Sequence, residues 1–485
     1  MAYTQDNDKL FLTDAQHEQS AIRAARAQAL ADRGAPIQLS TKPIRVVVRR
    51  NAVRGGEPEA WVAESGFVIR RIGLETGKTR QIYRGHTGPV TSLAFHTLRN
   101  AEKTQVLISG SWDKSVRVWN TQSKTHLSTT VGHIDFVKAV CVVESLNVLV
   151  TGSSDKDIRI WDLSPLDRLD IEELTSRGTD ASVENETEMP PQPERVGAAP
   201  PPAVPLRPLP CLLALKAHIR PVELLASYPL LEPLPDGVDD DEVDVSTRRR
   251  TGRVALVSAD SMGALKIWEL WRDDSGALRG ELRVEARQHE GGIYDLHVSP
   301  EGEMWTASVD NSVLLSRLSL TDAATAPVPV LRIPHPDQVR SVLPLATTFP
   351  DSPHLLTGAS DELLRIVDLS SSAALDPDPK REAKRDWRGL PATGPVEGCV
   401  REVEAHTHEI TQLCAYVAKD EITGKPRQWV LSASLDGTLR RWRWPDLLTE
   451  AMDKVIVVKE DEAAVKESLL TEEEERELAE LMGED

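Results

Sequence analysis

SGSWDKSVRVWN, residues 109–120, recurs twice without gaps, as TGSSDKDIRIWD at 151–162 and SASLDGTLRRWR at 432–443. Each copy predicts two short strands joined by a tight polar turn. In every copy a hydroxyl residue lies ten positions before a tryptophan and an aspartate lies six positions before it, and a histidine precedes the copy by about one hairpin. We call these sets tetrads: His86, Ser109, Asp113 and Trp119; His133, Thr151, Asp155 and Trp161; His406, Ser432, Asp436 and Trp442.

These copies resemble the WD-repeat family, in which each repeat supplies one four-stranded blade of a β-propeller. The resemblance implies that the four side chains of a tetrad form a buried hydrogen-bonded chain. The chemistry allows this, because an indole, a hydroxyl, an imidazole and a carboxylate can satisfy one another without water. Each bond should contribute about 1 kcal/mol net, and a buried group left without its partner costs about 1–3 kcal/mol.

Weaker copies begin at Ser258, Thr306 and Thr357, behind His218, His289 and His335. The last two lack the tryptophan, and in the first Asp260 is displaced from the usual place, so no complete tetrad is predicted there. Residues 43–85 add four strands without tetrad residues, which brings the count to seven. We therefore predict an all-β chain, a seven-bladed WD-repeat β-propeller with short helical N- and C-terminal extensions.

The predicted domains are an N-terminal helical extension at 1–36, the propeller at 37–460, and an acidic tail at 461–485. Three inserts are predicted at 164–210, 232–252 and 370–398. With the strands of a blade called a to d, the inserts fall in a–b or c–d connections, which open on one face, here called the insert face. The opposite face, with the short b–c turns and d–a loops, is called the turn face. Two interpretations of the insert face stay open: it is a binding surface, or it merely tolerates insertions.

The strand that closes the ring has two candidates, DKVIVVKE at 453–460 and IQLS at 37–40. We expect the C-terminal one. Residues 13–33 carry the signals of a helix, with a capping box at their start. Residues 460–485 hold 12 acidic residues against two basic ones, a net charge of −10. This tail is either solvated or a docking helix for a basic partner.

Composition excludes several classes of protein. The 57 Lys and Arg against 76 Asp and Glu give a net charge of −19, which disfavours bulk attraction to nucleic acid or an anionic membrane. The four cysteines include no C-x-x-C pair, so we expect no disulfide framework, no zinc site and a reducing compartment, the cytoplasm or the nucleus. No secretory leader and no membrane-spanning run of apolar residues is recognisable.

Enzyme chemistry is also not predicted, and neither is a cofactor or a metal. Serine, histidine and aspartate occur together in the tetrads, as in a hydrolase triad, but their repetition at blade period favours a structural role. GLETGKT at 73–79 is one residue too short for a phosphate-binding loop and fits a turn between strands c and d.

Three groups of residues are candidate partner contacts. Trp112 and Phe136 lie on turn-face loops, either exposed to solvent or flat on their own blade. In the insert at 164–210, Pro202, Pro205 and Arg207 have the P-x-x-P-x-R spacing that suits an SH3-type partner. Residues 42–84 carry a net charge of +6, with the partner candidates Arg49, Arg50, Arg70 and Arg71. This basic blade would dock an acidic protein or the chain's own tail, and nucleic acid stays open as a partner.

The resemblance implies a non-catalytic scaffold or adaptor that holds proteins or peptides as a subunit of an intracellular complex. One alternative is the substrate receptor of a ubiquitin ligase. Members of that class usually carry Arg two residues after the W-D pair, where this chain has Ser164. The other alternative is a ribosome-assembly or RNA-associated factor, drawn from the basic first blade and the acidic tail.

Overall fold

The computed structural model describes residues 24–50, 56–99, 104–168, 208–234, 244–370, 396, 398–419 and 425–449. Their strands form seven antiparallel sheets of four strands each, and each sheet is one blade of a propeller. The predicted seven-bladed β-propeller is therefore confirmed. The described residues up to Leu448 belong to one compact unit.

The first four blades follow one another along the chain, each with its strands in the order a to d. Blade 1 contains β2 (Pro43–Arg50), β3 (Pro58–Glu64), β4 (Val68–Gly73) and β5 (Thr79–Arg84). Blade 2 contains β6 (Val90–Thr97), β7 (Gln105–Ser111), β8 (Ser115–Asn120) and β9 (His126–Val131). Blade 3 contains β10 (Val137–Val143), β11 (Val148–Ser153), β12 (Asp157–Asp162) and β13 (Cys211–Lys216). Blade 4 contains β14 (Val222–Leu231), β15 (Arg250–Asp260), β16 (Ala264–Arg272) and β17 (Leu278–Arg287).

The last three blades complete the ring. Blade 5 contains β18 (Ile293–Val298), β19 (Glu303–Ser308), β20 (Ser312–Arg317) and β21 (Val328–Pro334). Blade 6 contains β22 (Val339–Pro344), β23 (His354–Ala359), β24 (Leu363–Asp368) and β25 (Cys399–Glu404). Blade 7 contains β26 (Ile410–Lys419), β27 (Pro426–Ser434), β28 (Thr438–Arg443) and, as its outer strand, β1 (Ile37–Gln38).

Helices are short among the described residues. Residues 24–29 form α1, Ser164–Asp167 form α2 and Trp444–Leu447 form α3. Single 3-10 turns occur at Val245–Thr247 and Leu345–Thr347.

The ring is closed by the N-terminal segment, so the expectation of a C-terminal closing strand is wrong. Ile37 pairs with Leu439 on β28, and the Arg441 amide donates to the Gly34 carbonyl at 2.6 Å. Gly34 has a φ of +69°, and a β-carbon there would lie 2.8 Å from the Trp442 ring, so a side chain would be excluded. The Arg440 guanidinium also donates to backbone carbonyls of the same segment. These contacts cover an edge that would otherwise invite pairing with other chains.

The core lies between neighbouring blades. Trp61 and Tyr83 of blade 1 pack with Leu107 and Trp119 of blade 2 in one buried cluster, and similar clusters join other neighbouring blades. Hydrogen bonds between inner strands also join neighbouring blades. For example, the Ser92 hydroxyl of blade 2 accepts a hydrogen bond from the Val140 amide of blade 3 at 2.9 Å. Each blade therefore buries its two sheet faces against its neighbours, as a repeat that cannot be stable alone must do.

The alternation of strand direction sorts the connections onto two faces. The connections that contain 169–207 and 371–395 run from strand c to d, and the one that contains 235–243 runs from a to b. The strand ends that flank all three connections therefore lie on the insert face. The b–c turns and d–a loops of the turn face remain short, and the histidine and aspartate of every tetrad lie there.

Candidate functional site

Each of the three tetrads forms a continuous chain of hydrogen bonds. In blade 3, the Trp161 indole donates to the Thr151 hydroxyl at 2.9 Å, and this hydroxyl lies 2.7 Å from His133 Nε2. His133 Nδ1 lies 2.8 Å from the Asp155 carboxylate, so Nδ1 carries the proton and Nε2 accepts from the hydroxyl. The same three distances are 2.9, 2.8 and 2.7 Å in blade 2 and 2.8, 2.7 and 2.9 Å in blade 7.

The charges within a tetrad are fixed by burial and by these bonds. Burial lowers the pKa of His133 and of His406, against the attraction of their aspartates. Burial also opposes ionisation of Asp436, but the hydrogen bonds from His406 and Thr438 outweigh it and lower the pKa of Asp436 to about 2. At neutral pH the tetrads of blades 3 and 7 therefore contain a neutral imidazole and a charged carboxylate, because the pKa of Asp155 is lowered as well.

The tetrads hold the loops of the turn face in place. The Asp155 carboxylate accepts the Ile134 backbone amide at 3.1 Å, which ties a d–a loop to a b–c turn. The Asp113 carboxylate accepts the Thr87 amide at 3.0 Å in the same way. Because Trp112 precedes Asp113 and Ile134 follows His133, the tetrads fix the backbone on which exposed apolar side chains stand.

Blade 4 has the chain of bonds that its sequence did not predict. His218 Nδ1 lies 3.3 Å from Asp260, and Ser258 bonds both His218 Nε2 at 2.8 Å and the Trp268 indole at 3.1 Å. Asp260 is the last residue of β15, where blades 2 and 3 have serine, and it reaches the same imidazole from there. The displaced aspartate therefore serves in place of the missing turn aspartate.

Blades 5 and 6 depart further from the pattern. In blade 5, His289 bonds Asp310 at 2.9 Å and Thr306 at 2.8 Å, with no indole in the chain. In blade 6, His335 bonds Thr357 at 2.9 Å, but its Nδ1 faces a backbone carbonyl because Asp361 pairs with the buried Arg365 instead.

The tetrad hydroxyls are not placed for catalysis. Ser109, Thr151 and Ser432 have no exposed surface, so a substrate cannot reach them. Within the part of the chain that the structure describes, no group of three or more His, Cys, Asp or Glu could hold a metal ion. GLETGKT forms a tight turn between β4 and β5, in which the Gly77 amide donates to the Gly73 carbonyl.

Trp112 and Phe136 are exposed and stack on each other, so neither lies flat on its own blade. Their rings are 5.0 Å apart and inclined by 15°, and the pair bridges blades 2 and 3 with 40% and 37% of the two residues exposed. Ile134 and Ile219, in successive d–a loops, are 77% and 80% exposed, and Met262, in the b–c turn of blade 4, is 45% exposed. We call these five residues the apolar arc.

The arc continues towards the mouth of the central channel. A cavity of about 250 Å³ there is lined by Trp112 together with Arg45, Lys138, Glu223 and other inner-strand residues. The Lys138 ammonium lies 5.9 Å from the Trp112 ring centre and 3.2 Å from the Glu223 carboxylate. Arg45 contacts Asp295 of blade 5 at 3.4 Å.

Two of the partner candidates in blade 1, Arg70 and Arg71, form ion pairs inside the blade. Arg70 pairs with Glu64 at 2.6 Å, and Arg71 pairs with Glu59 at 2.7 Å. Arg49 lies over the Phe95 ring at 4.4 Å. Arg50 ends β2, and its side chain lies outside the description. The two paired arginines therefore offer no free charge to a partner.

Other predicted contacts fall outside the described residues. These are the SH3-type motif (Pro202, Pro205 and Arg207), the acidic tail at 461–485 and the first part of the predicted N-terminal helix. No helix among the described residues is long and apolar enough to cross a membrane.

Sequence reasoning missed Ile134, Ile219 and Met262. A signal was present, because Ile134 and Ile219 directly follow the leading histidines of blades 3 and 4, where blades 2 and 7 have Thr87 and Thr407. Met262 occupies the position that the turn aspartate has in the regular repeats, four residues after the hydroxyl residue.

Comparison with known proteins agrees with this architecture. A family profile described as WD domain, G-beta repeat matches residues 77–120 and 124–162. A WD repeat-containing protein of Schizosaccharomyces pombe, named as uncharacterized, is 23% identical over 413 residues, which cover 84% of this chain and 82% of that protein.

Two further similarities are local. A periodic tryptophan protein 2 homolog of Schizosaccharomyces pombe is 36% identical over 86 residues, 18% of this chain and 10% of that protein. Polycomb protein esc of Drosophila virilis is 35% identical over 86 residues, 16% of this chain and 19% of that protein. This chain therefore spans only a small part of either relative.

Proposed function

Because this chain is a WD-repeat β-propeller, we propose that it acts as a non-catalytic scaffold, which holds partner proteins on its turn face within an intracellular complex. The stacked and exposed pair of Trp112 and Phe136 carries this proposal. Large aromatic side chains held rigidly at a surface are the commonest anchors of protein interfaces. Here the tetrads of blades 2 and 3 fix the backbone beside both rings, so little conformational entropy remains to be lost on binding.

The turn face is favoured over the insert face by what the described residues expose. Five large apolar residues lie on adjacent turn-face loops of blades 2 to 4, and such clusters on a folded surface mark interaction sites. A cavity of about 410 Å³ on the insert face is lined by charged residues such as Asp244, Glu301 and Arg317, together with Val245, Leu318 and Leu320.

A catalytic role has no support in the described residues. The only repeated Ser, His and Asp sets are the tetrads, whose hydroxyls are buried and accept hydrogen bonds from indoles in blades 2, 3, 4 and 7. A hydrolase needs an exposed nucleophile beside an oxyanion hole.

The RNA-associated alternative has less geometric support than the protein scaffold. Residues 42–84 keep their net charge of +6, but Arg70, Arg71 and Arg80 pair with glutamates of the same blade, and Arg49 lies over the Phe95 ring. These four arginines therefore do not form a continuous basic stripe for a phosphate backbone. No observation on the described residues favours the ubiquitin-ligase alternative.

Affinity purification of the full chain from its own cells tests the proposal, with and without RNase. We expect a stable set of proteins that survives RNase and is lost from the Trp112→Ala/Phe136→Ala variant. The matched control is Val328→Ala/Val400→Ala, which removes exposed apolar groups from the outer strands β21 and β25. Proteins that disappear with RNase, or that stay bound to the aromatic variant, would count against a protein scaffold that uses this face.

A further inference from the structure

The charged side chains of the turn face are distributed unevenly around the ring. In blades 5 to 7 the b–c turns and the d–a loops that precede each blade contain no Lys or Arg, and their acidic residues are Glu290, Asp310, Asp337, Asp361, Glu362, Glu409 and Asp436. In blades 2 to 4 the corresponding loops contain three cations, Lys114, Lys156 and Arg220, and three carboxylates, Asp113, Asp135 and Asp155. Arginines outside these loops pair with four of the seven carboxylates of blades 5 to 7, Asp310, Asp361, Glu362 and Glu409. By its loop residues, the half of the face that carries the apolar arc is still the less negative one.

The cations and carboxylates beside the arc also differ in what they contact. Two of the three carboxylates, Asp113 and Asp155, are held inwards by His86 and His133. The cations Lys114, Lys156 and Arg220 and the neighbouring Lys216 are exposed, and no ion pair joins them to any described residue.

An unpaired cation beside an exposed apolar surface favours a ligand that carries the opposite charge, because long-range attraction steers its approach and short-range apolar contact holds it. Lysine and arginine near Trp112 and Phe136 thus select against basic segments. On blades 5 to 7 the described residues offer no comparable exposed aromatic pair.

From this distribution we propose that the apolar arc and its surrounding cations bind an acidic protein segment that carries large apolar side chains. The apolar side chains of the segment contact Trp112, Phe136 and Ile219, and its carboxylates face Lys114 and Lys156. The inference rests on the proposed scaffold function and specifies the chemistry of the partner.

A random 12-residue peptide library, selected against the full chain, tests the partner's chemistry without knowledge of the natural ligand. Selected peptides are then labelled, and their dissociation constants are measured by fluorescence anisotropy. We expect enrichment of peptides with net negative charge and at least one Trp, Phe or Leu. Trp112→Ala should weaken their binding about 30-fold, the effect of losing an interface anchor of about 2 kcal/mol.

Charge reversal separates attraction from apolar contact. Lys114→Glu/Lys156→Glu should weaken the same peptides about 10-fold at low salt, and the difference should shrink in 0.5 M salt because screening removes it. The matched control is Lys78→Glu/Lys124→Glu, which makes the same change in charge on exposed c–d turns of the insert face and should leave binding unchanged. Thermal melting of each variant shows that the propeller is intact.

The outcomes distinguish a failure of the acidic partner from a failure of the scaffold function. Neutral or basic peptides that still need Trp112 would overturn the acidic partner and leave the scaffold function standing. Peptides that bind all variants equally, or a selection without any peptide that depends on Trp112, would overturn the arc as a peptide site. The scaffold function itself fails only if the purified complex is sensitive to RNase or indifferent to the aromatic variant.

Discussion

Thr151→Val removes one oxygen atom from the centre of a buried tetrad and keeps the shape of the side chain. The Thr151 hydroxyl is fully buried, accepts the Trp161 indole N–H at 2.9 Å and lies 2.7 Å from His133 Nε2. The substitution therefore leaves two buried polar groups without partners. At about 1–3 kcal/mol for each, the free energy of unfolding should fall by about 2–6 kcal/mol.

Thr306→Val in blade 5 is a comparison that the chain itself provides. Ser316 stands where the tryptophan would be, so the Thr306 hydroxyl bonds His289 at 2.8 Å without an indole. Only one side-chain partner is left unsatisfied there, at about 1–3 kcal/mol. Thr87→Val is the control, because the Thr87 side chain is exposed and its hydroxyl bonds no described residue. It should change stability by less than about 0.5 kcal/mol.

Differential scanning calorimetry compares the stability of the three variants Thr151→Val, Thr306→Val and Thr87→Val. With an unfolding entropy of about 2.1 cal/mol/K per residue over about 400 residues, 1 kcal/mol corresponds to about 1.2 °C in Tm. Thr151→Val should then lower Tm by about 2–7 °C, Thr306→Val by about 1–4 °C, and Thr87→Val by less than about 1 °C. Equal Tm values for Thr151→Val and Thr87→Val would refute the energetic role of the tetrad, and equal values for Thr151→Val and Thr306→Val would refute the contribution of the indole.

Four further predictions concern single features. Trp161→Phe should lower Tm by a few °C while the affinity purification stays unchanged, and unaltered melting would count against the buried chain. Arg71→Ala should lower the free energy of unfolding in urea by about 1–3 kcal/mol, because the buried Glu59 carboxylate loses its bidentate partner and keeps the longer contact with Arg80 at 3.4 Å, and it should leave RNA binding unchanged. Arg440→Ala should speed tryptic cleavage after Arg33 about tenfold, since it frees the segment that closes the ring; an unchanged rate would contradict this closure. Tm should fall between pH 7 and pH 5, because burial lowers the pKa of His335 to about 4. Below about pH 6.5 the unfolded chain binds a proton at this histidine and the folded chain does not, which lowers the free energy of unfolding by about 2 kcal/mol at pH 5. A flat profile of Tm against pH would contradict this.

The blade count could be predicted from the sequence because three blades repeat the same spacing of hydroxyl, aspartate and tryptophan, three more keep part of it, and residues 43–85 show four strands in succession. The blade 4 tetrad could not be predicted from the sequence. A gapless comparison aligns positions along the chain, and it does not show which side chains point at the same imidazole. Asp260 lies two residues after Ser258 rather than four, yet from the end of β15 its carboxylate still comes within 3.3 Å of His218.

The closing strand and the pairing of the blade 1 arginines could not be predicted, for a related reason. β1 is only two residues long, and its place depends on long-range contacts of Leu30 and Gly34 with Arg440 and Arg441 of blade 7, which no local pattern shows. The charges of Arg70 and Arg71 were visible in the sequence, but their pairing with glutamates across the blade was not.

Only part of the apolar arc could be predicted from the sequence. Trp112 could be predicted as a turn-face aromatic because it stands beside a tetrad aspartate. Its stacking on Phe136 depends on how closely blades 2 and 3 approach, which the sequence of neither blade determines alone.

Cross-linking mass spectrometry of the purified native complex, with a lysine-reactive reagent, tests the use of the turn face most directly. Exposed lysines stand on both faces: Lys114 and Lys156 in turn-face loops, and Lys78 and Lys124 in insert-face turns. We predict that links to partner proteins concentrate on Lys114 and Lys156. Links concentrated on Lys78 and Lys124 would contradict binding at the turn face and transfer that role to the insert face.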